Sequence, residues 1–94
     1  MYVNIDYGGD YDVIFLPRDD VDILNLHKKF CEWMYNENSK HNYWVFFDDG
    51  SKGCSYDVNA FVEWLNIFVF KDEKAYIAMS NTSDIDENRI CIHF

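Results

Sequence analysis

The stretch YVNIDYGGDYDVIFLP, residues 2–17, decides how the rest of the chain is read. Tyr2, Val3, Ile5 and Tyr7 precede Gly8-Gly9-Asp10, and Tyr11, Val13, Ile14, Phe15 and Leu16 follow. Two β-rich runs joined by glycines predict a hairpin, because glycine accepts the positive φ of a tight turn. Val3, Ile5 and Tyr7 alternate with Asn4 and Asp6, which predicts one buried face and one wet face. Pro17 lacks an amide donor and ends the second strand.

Outward from the hairpin, Asp19 and Asp20 are placed to open a helix, since aspartate caps free N–H groups and suits the positive end of the helix dipole. The apolar spacing predicts a helix over about residues 20–36. Ile23, Leu24, His27, Phe30, Cys31 and Met34 share one face, and Asp22, Asn25, Lys29, Glu32 and Asn36 the other. Leu26 and Trp33 lie at the margin of the apolar arc. Residues 36–42 read as a polar loop, residues 43–47 as a strand, and the Asp48-Asp49-Gly50-Ser51-Lys52-Gly53 run as a turn. Asp57 caps a second helix carrying Ala60, Phe61, Trp64 and Leu65. For residues 67–70, Ile-Phe-Val-Phe favours a strand, so the helix is expected to stop near Leu65. One helix continuing through Phe70 is the alternative. Residues 75–79 and 89–94 complete the strands, with Ile90 and Ile92 opposite Cys91 and His93.

These elements predict one domain over residues 1–94. The expected class is α+β: a small, mostly antiparallel sheet of about five to six strands with two helices, in the order β-β-α-β-α-β-β-β. An apolar fraction of 49% and an aromatic fraction of 19% suffice for a folded core.

Eight basic against 17 acidic residues give a net charge of −9. Such a field repels nucleic acid and anionic membrane and attracts basic surfaces. Direct nucleic-acid binding is therefore not expected, because Lys and Arg neutralising phosphates supply most of that affinity. The start of the chain has no basic residue and no long apolar run, so no secretory leader or membrane span is expected. Three cysteines, Cys31, Cys54 and Cys91, read as reduced thiols of a cytoplasmic protein.

Much of the acidity has local duties in caps and turns, Asp19, Asp48 and Asp57 above all. Asp84, Asp86 and Glu87 precede a strand, and Asp22 sits on the wet face of the first helix, so these four are the carboxylates expected to meet a partner. Trp33, Tyr35 and Tyr43 join them as partner-binding residues, because Trp and Tyr are favoured at protein interfaces. No catalytic residue, metal ligand or cofactor is assigned. Asp84, Asp86 and Asn88 alternate as calcium ligands do, yet Arg89 stands where the loop glycine belongs. The pairs His27/Cys31 and Cys91/His93 would make four zinc ligands only if the fold joined them, and the close cysteine pairs of structural zinc sites are absent.

The expectation is a small acidic cytoplasmic inhibitor, not an enzyme, that neutralises a basic protein. An immunity protein or antitoxin against a nuclease toxin is the natural instance, for a nuclease must be cationic where its substrate lies. In size and charge alone the chain resembles acidic nuclease inhibitors. A phage-encoded anti-defence protein, an anti-CRISPR or anti-restriction DNA mimic acting on a nucleic-acid-handling defence complex, shares the electrostatics. A small metal or thiol enzyme is the third reading.

Overall fold

A computed structural model describes residues Met1–Phe94. The elements are β1 (Tyr2–Asp6), β2 (Tyr11–Phe15), α1 (Ile23–Met34), β3 (Trp44–Phe46), β4 (Lys52–Cys54), α2 (Val58–Phe68), β5 (Tyr76–Thr82) and β6 (Cys91–His93). The expected α+β class holds, with six strands and two helices. The strands divide into a four-stranded sheet, ordered β5-β2-β1-β6, and a separate β3-β4 hairpin. β1 and β2 pair antiparallel around the glycine turn, where Gly8 and Gly9 have φ of 86° and 136°. β6 returns parallel to β1.

Both helices cover one face of the four-stranded sheet. Val3, Ile5, Ile14, Leu16 and Ile92 meet Ile23, Phe30 and Met34 of α1 and Phe61, Trp64 and Leu65 of α2 in one core. Phe30 is its centre, with the rings of Tyr56, Phe61 and Trp64 at 5.5, 5.1 and 5.8 Å.

The structure corrects several expectations. The order is β-β-α-β-β-α-β-β. Lys52–Cys54, whose first two residues are expected in a turn, is β4, and residues 67–70 do not form a strand. α2 continues to Phe68, and its end is held by the N–H groups of Val69 and Phe70 donating to the Leu65 carbonyl at 2.9 and 2.8 Å. The Asn66 side chain, rather than a strand backbone, ties this segment to the sheet: it accepts from the Ala75 N–H at 2.8 Å and donates to the Ala75 carbonyl at 2.9 Å. The first helix begins later than expected, with Asp22 as N-cap accepting from the Asn25 N–H at 3.2 Å. Leu24 is exposed, and Leu26 takes its place against the core, since the buried stripe 23-26/27-30-34 leaves position 24 about 100° to one side.

The sheet face away from the helices is not uniformly wet. Asn4 is 1% exposed because the loop after β5 crosses it: Asn4 Nδ2 donates to the Asp86 carbonyl at 2.9 Å. Beside it Tyr2, Phe15 and Tyr76 stack in a row, with the Arg89 guanidinium 5.3 Å from the Tyr2 ring centre. No helix is long and apolar enough to cross a membrane.

Candidate functional site

The last turn of α1 carries Trp33 out of the core toward the chain that follows. His41 folds that chain back. Its Nδ1 accepts from the Tyr43 N–H at 3.1 Å, so its Nε2 holds the proton and donates to the Met34 carbonyl at 2.8 Å. The Cys54 thiol donates to the same carbonyl at 3.3 Å. Both bonds satisfy a helix-end acceptor that has no partner within the helix. The His41 ring lies against Trp33, Tyr43 and Trp44 at 5.0, 5.5 and 5.2 Å.

This arrangement leaves a cleft of about 440 Å³ between residues 40–43 and α2. Trp33, Tyr43, Trp64 and Phe68 wall it, with Glu63 and Lys40 at its polar edge. Tyr43 Oη donates to Glu63 Oε2 at 3.1 Å. Partial burial, then that hydrogen bond, then the charges of Glu63 and Asp57 push the Tyr43 hydroxyl above its ordinary pKa. Ile67 and Phe68 stand more than half exposed on the α2 side. The β3-β4 hairpin extends from the His41–Trp44 stack and exposes Phe46 and Phe47 beside the acidic turn Asp48-Asp49. Exposed apolar rings rimmed by polar groups are what an interaction surface offers.

The structure divides the residues expected to bind a partner. Trp33 and Tyr43 meet in the cleft. Tyr35 lies one step beyond Met34 and borders a second cleft, of about 330 Å³, with Tyr56, His27, Cys31 and Phe94. Asp22 caps the opposite end of α1, about 16 Å from Trp33 along the axis. Asp84, Asp86 and Glu87 lie on the loop after β5, whose Asp86 carbonyl meets Asn4 on the sheet face away from the helices. Asp86 has a local duty after all, accepting from the Asn88 N–H at 3.0 Å. Phe68 is absent from the expected site because the strand reading of residues 67–70 hides the apolar continuation of α2, whereas Trp64 is expected on the helix only as a core residue and Glu63 carries no sequence signal. The spacing 61-64-65-68 is the signal that places Phe68 on the same helix face as Trp64.

The second cleft contains a thiol–imidazole contact, Cys31 Sγ to His27 Nε2, at 3.6 Å. Burial pushes the Cys31 thiol up and the His27 imidazole down, so each favours its neutral form. A nucleophilic cysteine needs the reverse, a stabilised thiolate. The four-ligand zinc arrangement also does not form: Asp6, rather than His27 or Cys31, is grouped with Cys91 and His93.

Tyr56 in this cleft yields a pH prediction. Burial first, and then its contacts with Tyr35 and Cys31, raise its hydroxyl well above the ordinary value of 10.0. The unfolded chain releases this proton near pH 10 while the folded chain retains it. Stability is therefore intact below that pH and falls as pH rises past it. Urea unfolding is expected to show a midpoint that drops above about pH 10, and Tyr56→Phe is expected to lessen that drop. An unchanged alkaline slope in Tyr56→Phe would contradict the placement of this ring.

No family model matches the chain, and neither a curated protein nor a solved structure does.

Proposed function

We propose that this chain is a small acidic inhibitor that binds a basic protein in the cytoplasm and neutralises it, as an immunity protein or antitoxin neutralises a nuclease toxin. All acidic residues except Asp6 and Asp12 are exposed, and of these fifteen only Asp19, Asp20 and Glu37 pair with a cation. Twelve exposed carboxylates thus form no direct ion pair within the molecule. Their mutual repulsion opposes the compact state, whereas a cationic partner would turn the same field into attraction.

The aromatic cleft supplies what charge alone does not. Electrostatics speeds encounter and excludes wrong partners, but tight complexes rest on a few large side chains in a desolvated centre. Trp33, Tyr43 and Phe68 fill that role, with Glu63 and Asp57 close by for the partner's Lys and Arg.

The test is capture of a partner on the tagged full chain at low salt, followed by assay of the purified partner. The expected partner is a basic nuclease that loses activity at equimolar inhibitor. Capture of a nucleic-acid-handling defence complex would move the reading to anti-defence. An acidic partner, or a bound nuclease that stays active, would contradict it.

A further inference from the structure

The geometry points to a transition-metal site on the β1-β6 strand pair, built from Asp6, Cys91 and His93 and suited to Zn²⁺ or Co²⁺. It depends on the parallel pairing of β1 and β6, which sets Asp6 opposite His93 and Asn4 opposite Cys91. Residues two apart on a strand share a face, and so do register partners. The carboxylate, thiol and imidazole therefore share one face of this strand pair, with His93 at the sheet edge where it also borders the second cleft. One donor atom from each lies within 4.8 Å of the other two, and His93 Nδ1 is 3.0 Å from Asp6 Oδ2. Bonds of 2.0–2.3 Å in a tetrahedron place ligand atoms about 3.3–3.8 Å apart. Small side-chain rotations reach that spacing, and the His93 side chain, 77% exposed, is free to make them.

Two features favour a built site over a chance meeting. The other oxygen of the carboxylate, Asp6 Oδ1, accepts from the Gly8 N–H at 2.7 Å, so the glycine turn fixes the orientation of the ligand from behind. On the same face, opposite Cys91, the buried Asn4 Oδ1 is an acceptor with no donor. That leaves a polar position unsatisfied beside the thiol. Three protein ligands with a fourth direction open to solvent is the pattern of an exchangeable site rather than a sealed structural one. The donor set is selective. One thiolate and one imidazole suit zinc and cobalt, whereas magnesium and calcium need oxygen ligands and find only one carboxylate here.

Cobalt titration of the reduced, chelator-treated full chain tests this, because a cobalt–thiolate charge-transfer band reports sulfur ligation directly. The wild type is expected to bind one Co²⁺ with that band and to lose it when Zn²⁺ is added. Cys91→Ser is expected to abolish the band, while Cys31→Ser with Cys54→Ser leaves it intact. Asp6→Asn and His93→Ala are each expected to weaken cobalt binding by about tenfold or more. Circular dichroism establishes that each variant is folded. Should Asp6→Asn fail to fold, the band in Cys91→Ser and the affinity of His93→Ala decide the matter. Absence of the band in the wild type, its persistence in Cys91→Ser, or equal displacement of cobalt by Mg²⁺ would overturn the proposal, the last by reducing binding to counter-ion attraction at net charge −9.

Discussion

Phe30→Ala is expected to lower the melting temperature by roughly 12–40 °C, from a loss of about 3–5 kcal/mol at about 4–8 °C per kcal/mol in a domain of this size. Phe30 is fully buried, and its ring touches both helices and the segment that joins the hairpin to α2. Truncation removes the transfer free energy of the ring and leaves a cavity that surrounding rings fill only in part. Small domains hold about 5–15 kcal/mol in total, so the variant is expected to be partly unfolded at physiological temperature. Leu24→Ala is the internal control. It lies on the same helix but is 55% exposed, and a change within about 0.5 kcal/mol is expected. Thermal unfolding followed by circular dichroism compares the two. Equal melting temperatures for Phe30→Ala and wild type would contradict the packing described.

The second large effect concerns which acidic surface meets the proposed partner. Reversing Asp48 and Glu63 to Lys is expected to slow association with the proposed cationic target by roughly 10- to 100-fold, within the range that electrostatic steering spans. Reversing Asp84 and Glu87 changes the net charge by the same amount on the far face of the sheet. Its effect is expected to be several-fold smaller, because exposed charges beyond about 8–10 Å of one another are screened in physiological salt. All four side chains are exposed, and only Glu63 has a side-chain hydrogen bond, to Tyr43. Stopped-flow association of the two double variants separates the surfaces. If the far-face pair matters more, the cleft is not the centre of the interface.

Local chemistry made a good part of this molecule legible. Gly8-Gly9 between alternating runs specified the β1-β2 hairpin, and the 23-27-30-34 spacing specified α1. Asp57 capped α2 as expected, accepting from the Asn59 N–H at 3.0 Å. The errors arose where local preference met tertiary context. Ile67–Phe70 is rich in residues that favour strands, but the helix already running through Leu65 gains more by keeping Phe68 against Trp33 and Trp64. The choice of cap was readable in retrospect, since Asp22 immediately precedes the first periodic apolar residue, Ile23. What sequence could not supply was the meeting of distant segments. Asn4 and Asp86 are 82 positions apart, and their hydrogen bond sends the acidic loop across the far face of the sheet. Trp33, Tyr43 and Glu63 form one cleft only because His41 folds the intervening loop onto the end of α1. The carboxylates were visible as composition; their division between two faces was not.

In the proposed complex, attraction between this acidic surface and a cationic protein drives recognition. Association rates of the captured partner, measured from about 10 mM to about 1 M salt, test it most directly, because the screening length falls from about 30 Å to about 3 Å over that range. A steep fall in the association rate with little change in dissociation is expected. An association rate that stays flat across the range would contradict it.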